Sequence, residues 1–141
     1  MPSPLGILPI NKPADMTSHD VVFEIRKHIN PKGTPKPQRI KVGHTGTLDP
    51  FATGVLLITV GKATRLESFF HAYDKEYEAV IQLGQSTTTD DTEGSVLEEA
   101  SIPPLPQDLE EQLQKKFTGT IQQIPPAFSA IKQDGKKSYE L

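Results

Sequence analysis

Gly43-His44-Thr45-Gly46-Thr47-Leu48-Asp49-Pro50-Phe51-Ala52-Thr53-Gly54 runs directly into Val55-Leu56-Leu57-Ile58-Thr59-Val60. The second run is apolar and partly β-branched, the composition of a buried strand. The first is a loop whose glycines let the backbone turn tightly and approach a ligand closely. Pro50 stiffens the chain directly after the Asp49 carboxylate. A polar side chain on a rigid loop beside a core strand is well placed for catalysis. The same residues equally suit a plain Leu-Asp-Pro turn in which Asp49 caps backbone N–H groups. Chemistry alone leaves both readings open.

On the N-terminal side, Leu5 to Ile10 reads as a short strand, with Pro9 marking an edge. Thr17 and Ser18 are helix N-cap residues, and Asp20 adds first-turn negative charge. Val21, Val22, Ile25 and Ile29 then recur at helical spacing until Asn30-Pro31 stops the helix. Pro31 to Arg39 reads as a mobile loop. On the C-terminal side, Ala63 to Ala72 predicts a helix with Leu66, Phe69 and Phe70 on one face. Lys75 to Leu83 alternates, so Tyr77, Ala79, Ile81 and Leu83 predict one side of a half-buried strand. Gly84 to Gly94 is a polar loop and Ser95 to Leu97 a short strand. Gln107 to Phe117 is a helix with Leu109, Leu113 and Phe117 at a spacing of four. Thr120 to Ile124 is a strand, Pro125 to Ser129 a turn, and Gln133-Asp134-Gly135 marks a hairpin. No internal repeat and no interdomain linker interrupts the 141 residues, which suffice for one domain with a core.

Composition narrows the chemistry. Cysteine is absent, which excludes disulfides, thiolate metal sites and cysteine nucleophiles and fits a cytoplasmic, reducing location. No run of 18 apolar residues implies a membrane span, and Met1 to Ile10 lacks the pattern of a signal peptide. The histidines show no metal-ligand spacing. Gly61-Lys62-Ala63-Thr64 imitates only the end of a phosphate-binding loop, with nothing before it to match. A glycosidase would need a second carboxylate flanking the scissile bond, and the acidic stretch offers no recognisable pairing.

The net charge is −3, yet the charges are segregated. Ile25 to Leu48 holds Arg26, Lys27, Lys32, Lys36, Arg39 and Lys41 with no acidic residue, whereas Gln85 to Gln114 holds acidic residues with no basic one. A polyanion would meet the basic segment while the acidic stretch faces elsewhere. An ordinary solvated surface is the other reading.

The run from Gly43 to Leu56 closely resembles the catalytic motif of the TruB family of pseudouridine synthases and its guide-RNA relatives. Asn11-Lys12-Pro13 followed by Thr17-Ser18 resembles the family's Lys-Pro motif. Lys75-Glu76-Tyr77 resembles the Lys-x-Tyr motif that carries the active-site tyrosine. Leu83-Gly84 with Thr87, Thr89, Asp91 and Gly94 resembles the family's Thr/Asp loop, and Ile124 to Lys132 with Gly135 to Tyr139 resembles the later proline-rich motif and hairpin. The matches occur in order along nearly the whole chain. Two positions depart. Asp15 stands where glycine is usual, and aspartate tolerates positive φ better than most residues. Thr88 replaces the first aspartate of the loop. The Pro31 to Arg39 insert is longer than usual.

The resemblance implies a mixed α/β (α+β) pseudouridine synthase fold, a large, mainly antiparallel sheet flanked by helices. Residues 1–141 would be the N-terminal portion of its catalytic domain, with the remainder, any PUA domain and the arginine that pairs with the catalytic aspartate absent. It implies conversion of uridine to pseudouridine in RNA, at uridine-55 in the T arm of tRNA, with no cofactor, no metal and no obligate protein partner. Asp49 would be the catalytic carboxylate. Tyr77 would lie against the flipped uracil, His44 would occupy the space the base vacated, and Gly43 would line the site. Lys12 and Arg65 would be phosphate or loop-positioning cations, and Asp91 a hydrogen-bonding partner. The absence of a basic N-terminal extension favours a stand-alone enzyme over a guide-RNA subunit. The chain alone is expected to be inactive, the alternative being a non-catalytic RNA-binding fragment.

Overall fold

The computed structural model describes residues 4–123, 132–133 and 136–137. Contacts divide the chain into two compact units, Met1–Tyr77 and Glu78–Leu141.

The first unit is an antiparallel three-stranded sheet with one helix packed on it. Its strands are β1 (Gly6–Lys12), β2 (Val42–His44) and β3 (Gly54–Val60), in the order β1-β3-β2. β3 is central, paired on both sides, and its C-terminal half is buried on both faces, Thr59 included. Leu56, Ile58 and Val60 point to one face and are buried, Ile58 completely, while Val55 is exposed. α1 (Ser18–Ile29) lays Val21 and Val22 on that face, and Val42 completes the core, with Ile25, Ile29, Ile10 and Leu48 packed against it. Burying each such side chain contributes about 1.5–3 kcal/mol. Pro9 sits opposite Leu57 on edge strand β1, where its missing N–H disrupts no second ladder.

The helix begins where the side chains say it should. Thr17 is the N-cap, its hydroxyl accepting from the Asp20 N–H while the Asp20 carboxylate accepts from the Thr17 N–H at 2.9 Å, a reciprocal capping box. Both hydrogen bonds from Thr17, the side-chain one first, hold the Asp20 carboxyl below the usual aspartate range. At the other end Asn30 caps the helix, and its side chain pairs with the backbone of Ile40, donating to its C=O at 3.0 Å and accepting from its N–H at 2.7 Å. The 31–39 segment, expected to be a mobile loop, is therefore closed across its base. Thr34 and Arg39 bond within it, and Lys36–Gln38 form a turn of 3-10 helix.

Beyond β3 the expected helix over 63–72 divides into a 3-10 helix, Gly61–Leu66, and one turn of α-helix, α2 (Glu67–Phe70). Lys75 to Leu83 forms no strand. Its alternation is real, but a strand requires a hydrogen-bonded neighbour, and none is supplied among the described residues. Tyr77 and Ile81 are left exposed.

The second unit pairs β4 (Gln85–Thr87) with β5 (Val96–Glu99), antiparallel and with a register shift at Ser86/Thr87. β4 falls in the segment read as loop, because Gln85-Ser86-Thr87 carries no apolar alternation to announce it. α3 (Leu109–Phe117) forms as expected, though its stripe of Leu113 and Phe117 remains exposed. Residues 121–123 form no strand. β6 (Lys132–Gln133) pairs with β7 (Lys136–Lys137) as the expected hairpin; its turn, and the turn expected over 125–129, lie outside the described residues. The fold is thus mixed α/β with antiparallel pairing throughout, in small sheets. No described helix is long and apolar enough to cross a membrane.

Candidate active site

Asp49 lies in the connection between β2 and β3, at the end of β3 where Gly54 pairs with Lys12. Its carboxylate is exposed and makes no hydrogen bond or ion pair among the described residues. The backbone on either side is held from below. Ser18, 2% exposed, accepts from the Leu48 N–H at 2.9 Å and donates to the Leu48 C=O at 3.1 Å. The Pro50 C=O accepts from the Asp15 N–H at 2.9 Å and from Lys12 Nζ at 3.0 Å. The Ala52 N–H returns to the Asp49 C=O. A free side chain on an immobilised backbone is the arrangement a catalytic carboxylate requires.

Lys12 is completely buried, with no carboxylate paired to it among the described residues. An ammonium has three N–H donors, and Nζ directs them to the carbonyls of Pro13 at 2.8 Å, Met16 at 2.7 Å and Pro50 at 3.0 Å. Full satisfaction is what makes the burial affordable. No donor remains for a phosphate, so the geometry gives Lys12 a loop-positioning place. The same turn needs Asp15 at φ 63°, the left-handed region that aspartate enters more readily than most residues, so the departure from glycine is accommodated.

Gly43 and His44 are in β2, opposite Thr59 and Ile58. A Cβ at Gly43 would overlap the Glu67 carboxylate, which accepts from the buried Thr59 hydroxyl at 2.9 Å. A side chain at Gly43 would require the tip of Glu67 to move away from Thr59. His44 is half-buried, and its Nδ1 lies 2.7 Å from the Gly46 C=O. A shallow groove of about 460 Å³ beside it is lined by His19, Arg26, His44, Thr47 and His71. Lys12 and Asp49 thus lie together at the Gly54 end of β3, while His44 opens the β2–β3 connection and Gly43, paired with Thr59, lies towards the other end of the strand. Arg65 is exposed and follows the opposite end of β3. Tyr77 is 73% exposed at the end of the first unit. Asp91 belongs to the second unit, where its carboxylate accepts from the Thr89 hydroxyl and the Glu93 N–H. Those bonds, Thr89 first, lower its pKa.

Residues 32–141 match the family model described as TruB family pseudouridylate synthase, N-terminal domain. The chain belongs to the TruB family. It is 51% identical to the tRNA pseudouridine synthase B of Acholeplasma laidlawii over 96% of its own length and 45% of the relative's. The corresponding protein of Fusobacterium nucleatum is 48% identical over 96% of this chain and 44% of the relative, and that of Gloeothece citriformis 50% identical over 97% and 42%. The chain therefore spans under half the length of these TruB relatives. Sequence reasoning did not identify Ser18, Asn30 or Glu67 as supports of the loop and groove, since each acts on a partner distant in sequence or through a gap left by a glycine.

Proposed function

We propose that this chain contributes the catalytic aspartate of an enzyme that isomerises uridine to pseudouridine in tRNA, in the cytoplasm. The observation that carries the reading is the exposed Asp49 carboxylate on a backbone pinned at both neighbours. The target base leaves its stack and enters the site. Asp49 then acts on the sugar by one of two routes. As a nucleophile it bonds to C1′ and displaces uracil; as a base it removes the 2′ proton to give a glycal. In both, the uracil rotates and C5 bonds to C1′, which expels the Asp49 carboxylate in the first route and returns the proton to C2′ in the second. The C5 proton is then lost, and N1, freed when the glycosidic bond broke, takes one up. The fixed loop holds the carboxylate where charge develops at the sugar. Tyr77, exposed and with no hydrogen bond among the described residues, stacks against the base, and His44 fills the vacated space. Asp91 and Arg65 contact RNA or its binding loops.

The substrate is uridine-55 of the T arm, and the active protein has the length of the relatives. Residues 1–141 alone are inactive, because no described cation meets Asp49 and the resemblance assigns the role of the family's paired arginine to no residue of this chain. The test uses tRNA labelled with tritium at uridine C5, where each isomerisation releases one tritium. Protein of the relatives' length should release it, and RNA carrying cytidine at position 55 should suppress release. Release that is indifferent to that replacement would overturn the assignment of position 55.

A further inference from the structure

The six basic residues of the acid-free span do not scatter over the surface. Arg26, Lys27, Lys32, Lys36, Arg39 and Lys41 all line one open groove of about 830 Å³ between the C-terminal end of α1, the 31–41 segment and the start of α2. Glu67 is the only carboxylate among the lining residues, and one of its oxygens is engaged by Thr59. The floor of the groove is rigid. Asn30 fastens the segment to the helix at Ile40, and Arg26 donates to the Val42 C=O at 3.2 Å. Lys27 is paired with Glu24, but Lys32, Lys36 and Lys41 make no side-chain hydrogen bond or ion pair among the described residues. A helix C-terminus carries partial negative charge, so it and Glu67 offset part of the field, and a clear excess of cations remains. Arg26, Val42, Gly43 and Glu67 also line the smaller groove that runs past His44 to Thr47, two residues before Asp49. The two grooves form one continuous trough on the first unit.

We propose that this trough carries the phosphodiester backbone of the substrate RNA away from the reacting nucleotide, with the cations of the 31–41 segment as its outer phosphate site. The inference rests on the RNA-modifying reading above and extends it to a surface. Six cations spread along one groove, which adjoins through Arg26 the groove beside the active-site loop, fit a strand of regularly spaced phosphates better than an isolated small anion.

The test is the salt dependence of binding to a tRNA transcript, comparing wild-type chain with two double variants of equal charge change. Lys36→Gln with Lys41→Gln removes two groove cations; Lys115→Gln with Lys116→Gln removes two on α3. The groove pair should flatten the slope of log K against log salt by about 1.5, and the α3 pair should leave it unchanged. Thermal unfolding of all three proteins verifies that the fold persists. An unchanged slope for the groove pair overturns the proposal. So does an equal change for both pairs, which would mark a general charge effect, or the absence of salt-dependent binding by wild-type chain. Tritium release is read separately. In protein of the relatives' length, binding through the groove without isomerisation would leave this inference standing and remove the catalytic reading.

Discussion

The Ser18 hydroxyl bridges both backbone polar groups of Leu48, accepting from its N–H at 2.9 Å and donating to its C=O at 3.1 Å. A hydroxyl has one donor and two acceptor sites, so one small buried side chain fixes the peptide units on both sides of Leu48 and thereby the entry to Asp49. Ser18→Ala would leave a buried N–H and C=O unpaired. Stability should fall by about 1–3 kcal/mol, and pseudouridine formation by protein of the relatives' length should slow, with RNA affinity little changed. Denaturant unfolding and single-turnover rates measure the two effects. A variant as stable and as fast as wild type would show that the bridge positions nothing.

Lys12 makes the corresponding clamp after Asp49. Lys12→Met keeps the bulk but leaves three carbonyls without the ammonium that joins them. A loss of about 3 kcal/mol is expected, from hydrogen bonds made by a charged group. If Lys12 served RNA phosphate instead, the substitution would weaken RNA binding and leave unfolding unchanged.

Asp15 bears the positive φ of the turn whose N–H reaches Pro50. Asp15→Gly should be tolerated within about 1 kcal/mol, and Asp15→Val should lose about 1–2 kcal/mol or more. Urea titration of the two variants distinguishes them, and equal stability would contradict the backbone argument.

The Thr17–Asp20 capping box sets a pH dependence. Asp20 has a lowered folded pKa, so its contribution is present above the unfolded aspartate value, about 3.9, and is lost as pH falls through the folded one. Thr17→Ala should cost about 1 kcal/mol at neutral pH and less at acid pH. A cost that does not shrink on acidification, measured by unfolding at both pH values, would show that the carboxylate takes no part in the cap.

These contacts mark the boundary of what the sequence discloses. The capping box is local, and Thr17 with Asp20 announces it by spacing alone. Val55 to Val60 announces a core strand by composition, and Pro9 an edge by its missing donor. The Leu-Asp-Pro loop stands out through family resemblance, since its chemistry suits a simple turn equally well. Burial of Lys12 and Ser18 is not legible, because Ser18's partner lies 30 residues away and the Pro50 carbonyl that closes over Lys12 lies 38 away, and lysine is ordinarily read as solvent-facing. The period-two pattern of Lys75 to Leu83 shows which residues share a side. It cannot supply the neighbouring strand that would bury Tyr77 or Ile81.

The most direct test of the central claim is Asp49→Asn in protein of the relatives' length, assayed by single turnover on tritium-labelled tRNA. The exposed side chain supports nothing in the described structure, so the fold and the RNA affinity should be retained. Pseudouridine should be undetectable, because an amide is neither an adequate nucleophile nor a base, and loss of such a group costs several kcal/mol of transition-state stabilisation. Retention of more than a few per cent of the wild-type rate would contradict the account and return Asp49 to the role of a turn residue.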